Sequence, residues 1–226
     1  MSSRTRVFAT SVGSKLLIGL TGLALFLFLI THIAGNALIL LGRTTFNSYS
    51  HTLTSNPLIP LIEIVLLLVF LLHIVKTVSM YLGNQQARPV AYQAKKSRGA
   101  PSRRTFSSKT MIITGLWLLI FVIIHVRTFK YGPDYPSDID GVRDLYRLVL
   151  ENFHSPLSVA FYVLSMLVVW SHLRHGAASA VQSLGLSHPR WTPRVLTAGK
   201  VFAAVIGGGF ILITLYAHVF ARQVGR

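Results

Sequence analysis

Five long runs of apolar residues divide the chain, and shorter polar segments separate them. The runs cover approximately residues 16–41, 58–82, 111–129, 157–180 and 195–220. An α-helix needs about 20 apolar residues to cross the hydrocarbon core of a bilayer. Polar and apolar residues do not alternate within the runs, which argues against strands. The pattern therefore predicts an all-α fold, an integral membrane bundle of five transmembrane helices that forms one domain over residues 1–226.

Composition supports a membrane protein. Hydrophobic residues make up 52% of the chain, charged residues only 12%, and the mean hydropathy is +0.56, all of which are unusual for a soluble domain. Cysteine is absent from the sequence, so the chain can form no disulfide and can supply no thiolate to an iron–sulfur cluster. The first run is too long for the core of a signal peptide, and we expect it to be retained.

The charge distribution predicts an orientation. There are 22 Lys and Arg against 6 Asp and Glu, but the basic residues lie mostly between apolar runs, which favours membrane topology over nucleic-acid binding. The N-terminus and the segment between the second and third runs are basic, and we expect both to face the cytoplasm. Five acids lie between the third and fourth runs, which should therefore face outward: Asp134, Asp138, Asp140, Asp144 and Glu151.

The same acidic segment carries apolar residues at helical spacing, namely Val142, Leu145, Tyr146 and Val149. This spacing predicts a short helix on the outer surface. An ordinary polar loop is an equal alternative on sequence grounds.

Histidines occur well inside four of the apolar runs: His32, His73, His125, and His172 with His175; His218 lies near the outer end of the fifth run, with no histidine at a matching depth. A single intramembrane histidine is more often a hydrogen-bonding partner between helices than a ligand, but one on each of four helices favours a function. At 1.5 Å per residue, His32 and His125 lie roughly 22 Å from the cytoplasmic side, whereas His73 and His175 lie roughly 22–28 Å from the outer side. The depths predict two stacked pairs rather than one four-histidine site.

Imidazoles without a neighbouring carboxylate, in an apolar cavity, suit the two axial positions of a haem iron. Small residues near the histidines would leave space for such a group, although small residues are common wherever transmembrane helices meet. These residues are Gly19, Gly22, Ala34, Gly35, Gly115, Gly176, Ala177 and Ala178.

Four stretches surround the histidines: LITHIAGN, FLLHIVKTVSMYLGNQQARP, FVIIHVRTFKYG and HLRHGAASAVQSLGLSHP. With the five runs, they resemble the dihaem cytochrome b membrane subunits of succinate:quinone oxidoreductases and fumarate reductases, in particular the cytochrome b558 type. The resemblance implies two haem b groups, with His32 and His125 on the outer haem and His73 and His175 on the inner haem. The fourth ligand is then the histidine directly before glycine; His172, one turn earlier, is the alternative ligand or a hydrogen-bonding partner of the ligand.

The resemblance also implies partners and a reaction. A flavoprotein subunit with FAD and an iron–sulfur subunit would dock on the cytoplasmic face, and electrons from succinate would pass through the haems to quinone, expected to be menaquinone. The membrane would be the bacterial cytoplasmic membrane, and succinate oxidation would occur on a partner subunit. Fumarate reductase, running in reverse, is the closest alternative. A histidine-relay transporter or a haem-free anchor is the alternative of another class.

Glu63 is the only acid within the apolar runs, about five residues from the outer start of the second run. Burial there would suit it to proton exchange with quinone, whereas reaching the headgroups or capping a helix is the equal alternative. A second possible quinone site is the inner end, near Ser14, Lys15 and Tyr81. Basic residues near the histidines could pair haem propionates or lipid headgroups: Lys76, Arg127, Lys130 and Arg174. The remaining histidines are interpreted as structural: His51, His154, His188 and His218.

Overall fold

The computed structural model describes residues 10–87 and 110–224. Within them lie seven α-helices: α1 (Ser11–Ala37), α2 (Arg43–Thr54), α3 (Ile59–Gln86), α4 (Met111–Phe129), α5 (Leu145–His154), α6 (Pro156–Ser183) and α7 (Thr192–Val224). A turn of 3-10 helix, Leu38–Leu41, continues α1. Five helices, α1, α3, α4, α6 and α7, are long and apolar enough to cross a membrane. The described residues contain no strands, only an isolated bridge between Pro136 and Arg143, so the predicted all-α fold is confirmed.

Polar residues at the ends of the spanning helices extend them beyond the predicted runs. α1 begins at Ser11 because the side chain of Thr10 accepts a hydrogen bond from the backbone N–H of Gly13 at 3.1 Å. α6 begins with Pro156 directly after Ser155, whose side chain caps the first turn. α1 therefore begins at Ser11 instead of the predicted residue 16, whereas α6 begins one residue before its predicted start and α4 spans the predicted residues 111–129.

α6 lies at the centre of the bundle, packed against α7, α1 and α4, whereas α3 lies at its edge against α1. Gly207 of α7 permits the close approach to α6, since a Cβ there would lie 2.9 Å from the Cβ of Trp170 and 3.1 Å from the carbonyl oxygen of Met166. No residue of α3 is buried within the chain. Apolar side chains that a chain leaves exposed on such a helix are suited to lipid or to a partner.

The two shorter helices lie together at one end of the bundle, which we call the α5 end. α5 buries Leu148, Val149, Leu150 and Phe153 against its neighbours, and it packs on α7, α2, α6 and α4. The predicted short helix is therefore confirmed, and the alternative of a polar loop is wrong. α2 was not predicted, because its sequence RTTFNSYSHTLT is rich in hydroxyl side chains and short of apolar residues.

A buried carboxylate joins α2 to α5. Asp144 has no exposed surface; it accepts hydrogen bonds from Asn47 Nδ2 at 2.7 Å, Arg43 Nε at 2.9 Å and the backbone N–H of Arg147 at 3.1 Å. Burial acts to raise the pKa of Asp144, but the hydrogen bonds from Arg43 and Asn47 outweigh it and hold the pKa below its ordinary value. The charged form of Asp144 is therefore built into the fold.

The orientation of the bundle in a membrane stays a prediction. Apart from Lys15, the basic residues on which it depends lie outside the described residues: Arg4, Arg6, Arg88, Lys95, Lys96, Arg98, Arg103, Arg104 and Lys109.

Candidate functional site

The first pair of histidines joins α1 to α4 near the α5 end. The ring centres of His32 and His125 are 5.8 Å apart, with the ring planes at 86°. Each ring also stacks on a phenylalanine one turn earlier in its own helix: His32 on Phe28 at 5.2 Å and His125 on Phe121 at 5.5 Å. The two imidazoles are therefore in edge-to-face contact between α1 and α4.

The second pair joins α3 to α6. His73 and His172 lie near enough to each other for an electrostatic interaction between the two rings. Each ring is held by a threonine from a neighbouring helix: Nδ1 of His73 lies 3.0 Å from Oγ1 of Thr21 in α1, and Nδ1 of His172 lies 3.0 Å from Oγ1 of Thr114 in α4. Because Nδ1 is engaged in both rings, Nε2 is the nitrogen left for a ligand.

A glycine adjoins each of these threonines, and the imidazole lies against it. A Cβ on Gly22 would be 3.3 Å from Cε1 of His73, and a Cβ on Gly115 would be 3.7 Å from Cε1 of His172. Of the small residues noted in the sequence, Gly22 and Gly115 are thus the two that adjoin the second pair of histidines. A larger side chain at Gly22 would displace the ring of His73.

Both pairs bridge helices that are not packed directly together. Among the described residues, α1 and α4 make at most marginal backbone contact, and so do α3 and α6, whereas α1 packs against both α3 and α6. The rings of His32 and His125 therefore meet between two helices that do not pack directly together, and His73 and His172 lie near each other across a second such gap. A group that inserts between helices and takes one ligand from each side fits this arrangement.

The two pairs lie at different heights in the bundle. Thr21, which holds His73, is eleven residues before His32 on α1, and Thr114, which holds His172, is eleven residues before His125 on α4. Eleven residues of α-helix rise about 16 Å. The histidines thus define two stacked sites, with His32 and His125 nearer the α5 end.

The geometry favours His172 over His175 as the partner of His73. The resemblance implied His175 as this ligand, and that assignment stays a prediction. His172 bonds Thr114 and interacts with His73, whereas His175, three residues further along α6, interacts with His172. His172 contacts Thr114 and Gly115 in the same way that His73 contacts Thr21 and Gly22. The two histidines therefore have matching surroundings.

The chemistry of the donors fits haem. Within the described residues no group of three or more His, Asp or Glu converges as a compact metal site would require. Each pair instead brings together imidazoles from two different helices, a donor set with which a haem iron would be compatible. The absence of cysteine from the sequence excludes covalent thioether attachment and favours haem b.

Glu63 and Lys130, for which sequence analysis considered separate roles, bond to each other. The carboxylate of Glu63, in the first turns of α3, forms an ion pair with the ammonium group of Lys130, directly after α4. Both side chains are about half exposed. The pair lies toward the α5 end, on the same two helices that carry His73 and His125.

Thr21 and Thr114 were not predicted as partners of the histidines, although a repeat in the sequence points to them. Residues 21–32 read TGLALFLFLITH, and residues 114–125 read TGLWLLIFVIIH. The two segments share Thr and Gly at the start, His at the end, and Leu, Leu, Phe and Ile at matching positions between. The shared Thr and Gly contact the rings of His73 and His172, and the shared Phe stacks on the shared His of its own helix.

No family model, no curated protein and no solved structure matches this chain. The fold and the site define a multi-pass membrane bundle with two stacked pairs of histidines, and its function has to be inferred from those residues.

Proposed function

We propose that this chain is the haem b-containing membrane subunit of a succinate:quinone oxidoreductase, of the cytochrome b558 type. The observation that supports it most is the arrangement of two histidine pairs, each across a gap between helices. His32 and His125 would hold one haem, and His73 and His172 the other. Fumarate reductase uses the same arrangement in the reverse direction.

The haem groups, when bound, supply one-electron carriers at the two heights of the bundle. The residues of the chain bind and orient them. One imidazole from each of two helices would hold each haem, and the aromatic side chains of Phe28 and Phe121 stack on the rings of His32 and His125. Apolar surroundings exclude water from both sites.

The proposed partners are those that the resemblance implies. With no cysteine, the chain cannot ligate an iron–sulfur cluster through thiolates, so in this proposal an iron–sulfur subunit and a flavoprotein with FAD supply the electrons. They dock on the basic side, which the charge distribution predicts to be cytoplasmic. The location proposed is the bacterial cytoplasmic membrane.

Quinone, proposed to be menaquinone, reacts at the α5 end. Glu63 provides a carboxylate there that exchanges protons, and Lys130 holds it in place through the ion pair. The polar residues at the opposite end of α1 and α3, Ser14, Lys15 and Tyr81, are the alternative site.

The proposal is tested on the complex purified through a tag on this chain. Under anaerobic conditions, succinate should reduce b-type absorption bands, and fumarate should reoxidise them. His73→Ala should remove one spectral component. His51→Ala is the control and should leave both components unchanged, because His51 is an exposed residue of α2. If dithionite reveals no b-type bands, the chain is a haem-free anchor or a histidine-relay transporter. If dithionite but not succinate reduces the bands, the haem assignment stands and the electron donor is a different one.

A further inference from the structure

We infer that Thr21 and Thr114 are positioning residues that fix the tautomer and the basicity of the imidazoles of His73 and His172. The inference rests on the proposed function, because it concerns how these two residues adjust a haem held between them.

The hydroxyl of Thr21 can only accept a hydrogen bond from His73. Its single proton is directed to its own helix, where Oγ1 lies 2.7 Å from the carbonyl oxygen of Leu17 and 3.2 Å from that of Ile18. A hydroxyl has one proton to donate and lone pairs with which to accept. The 3.0 Å contact with His73 is therefore an Nδ1–H donating to Oγ1, and the backbone of Ile18 offers the same ring a second acceptor.

Thr114 repeats this arrangement on α4. Its Oγ1 lies 3.1 Å from the carbonyl oxygens of both Thr110 and Met111, so its proton is also used within its own helix. The 3.0 Å contact with His172 is again an Nδ1–H donating to a hydroxyl oxygen. The repeat of residues 21–32 and 114–125 thus places the same threonine hydrogen bond on two neighbouring histidines, His73 and His172.

This threonine hydrogen bond has an electronic consequence. A proton fixed on Nδ1 leaves the lone pair of Nε2 free for a metal, and a hydrogen bond from Nδ1–H to an acceptor makes the imidazole a more basic ligand. A more basic ligand favours the oxidised iron. Thr21 and Thr114 therefore lower the reduction potential of the haem between His73 and His172.

The first pair of histidines is held differently. Nδ1 of His32 lies 3.5 Å from Nδ2 of Asn36, and Nδ1 of His125 lies 3.5 Å from the hydroxyl of Tyr162. At that length a hydrogen bond is weak. The threonine hydrogen bond is thus specific to one of the two sites, and changes in it should alter one haem and leave the other unchanged.

The test uses Thr21→Val and Thr114→Val, which keep the shape of the side chain and remove the acceptor. The two midpoint potentials are measured by redox titration of the purified complex, together with haem content. Each variant should shift the same single haem to a higher potential. Thr31→Val is the matched control, because Thr31 lies on α1, is exposed, and uses its hydroxyl only toward the carbonyl oxygen of Phe28. Thr21→Ser, which keeps the hydroxyl, should remain near the wild-type potential.

Unchanged potentials in both valine variants would overturn the inference, as would an equal shift in Thr31→Val. A second measurement is independent of haem: nitrogen NMR of the full chain labelled at histidine reports which ring nitrogen carries the proton. His73 should be Nδ1-protonated, and Thr21→Val should mix the tautomers. Protonation of His73 at Nε2 in the wild-type chain would overturn the inference even if the chain binds haem. Absence of haem would instead contradict the proposed function and leave the NMR result to decide the role of Thr21.

Discussion

Replacing Asp144 with alanine should destabilise the α5 end of the bundle far more than replacing any exposed acid of the same loop. Asp144 has no exposed surface and accepts hydrogen bonds from Asn47, Arg43 and the backbone of Arg147. Truncation leaves the donors of Asn47 without an acceptor in a place that water does not reach, since Asn47 is only 1% exposed.

The magnitude follows from three contributions. Leaving the buried amide of Asn47 unsatisfied costs about 1–3 kcal/mol. Loss of the N-cap of α5 costs about 1 kcal/mol. The ion pair with Arg43 adds under about 1 kcal/mol, because the side chain of Arg43 is 42% exposed and solvent screens it. Asp144→Ala should therefore lower the free energy of unfolding by about 2–5 kcal/mol.

The assay is an equilibrium titration in mixed micelles with a denaturing detergent, followed by circular dichroism. The matched control is Asp138→Ala, because Asp138 also pairs with Arg43, at 3.3 Å, but its side chain is 83% exposed. That variant should lie within about 0.5 kcal/mol of wild type. Equal losses from the two variants, or no loss from Asp144→Ala, would refute the reasoning.

The same network sets a pH dependence. Because the pKa of Asp144 is lower in the folded state, its contribution to stability is fully present above its ordinary value of 3.8 and is lost as the pH falls through the lowered folded-state pKa. Asp144→Asn should remove this part of the acid sensitivity in the same titration. An unchanged acid profile in Asp144→Asn would show that another group is responsible.

Three further predictions concern the spanning helices. His32→Ala and His125→Ala should remove one and the same spectral component, His73→Ala and His172→Ala the other, and His175→Ala neither; loss of a component in His175→Ala but not in His172→Ala would reverse the assignment. Gly207→Ala should lower the free energy of unfolding in detergent by about 1–3 kcal/mol, because the added Cβ would press against Trp170 and Met166. Gly208→Ala is the control and should not destabilise the protein, because the space beside Gly208 is open. Glu63→Gln should slow quinone reduction and leave succinate oxidation by an artificial acceptor intact, with Asp134→Asn as the control; unchanged quinone turnover would move the quinone site to the end with Ser14, Lys15 and Tyr81.

The spanning helices could be predicted from the sequence because a bilayer requires the same property of each of them, a long apolar run. α2 could not, since its few apolar residues, such as Phe46, face other parts of the protein rather than lipid. The extent of α1 and α6 depended on caps from Thr10 and Ser155, which a hydropathy pattern does not contain.

The site was predictable in part. Depth along the helices paired His32 with His125 because that argument needs only helix length and alternating direction. His172 and His175 lie three residues apart on one helical face, so depth could not separate them, and the contact that favours His172 is with Thr114 on another helix. The bond between Glu63 and Lys130 likewise depends on how α3 and α4 are aligned, which no single helix encodes.

The most direct test of the proposed function is the amount of haem in the purified chain. A pyridine haemochrome assay, referred to the protein concentration, counts b-type haem directly. Two pairs of imidazole ligands predict about two haems per chain. A ratio near zero, measured on a chain that is folded and retained in the membrane, would contradict the proposed haem function. A ratio near one would mean that one of the two histidine pairs does not bind haem.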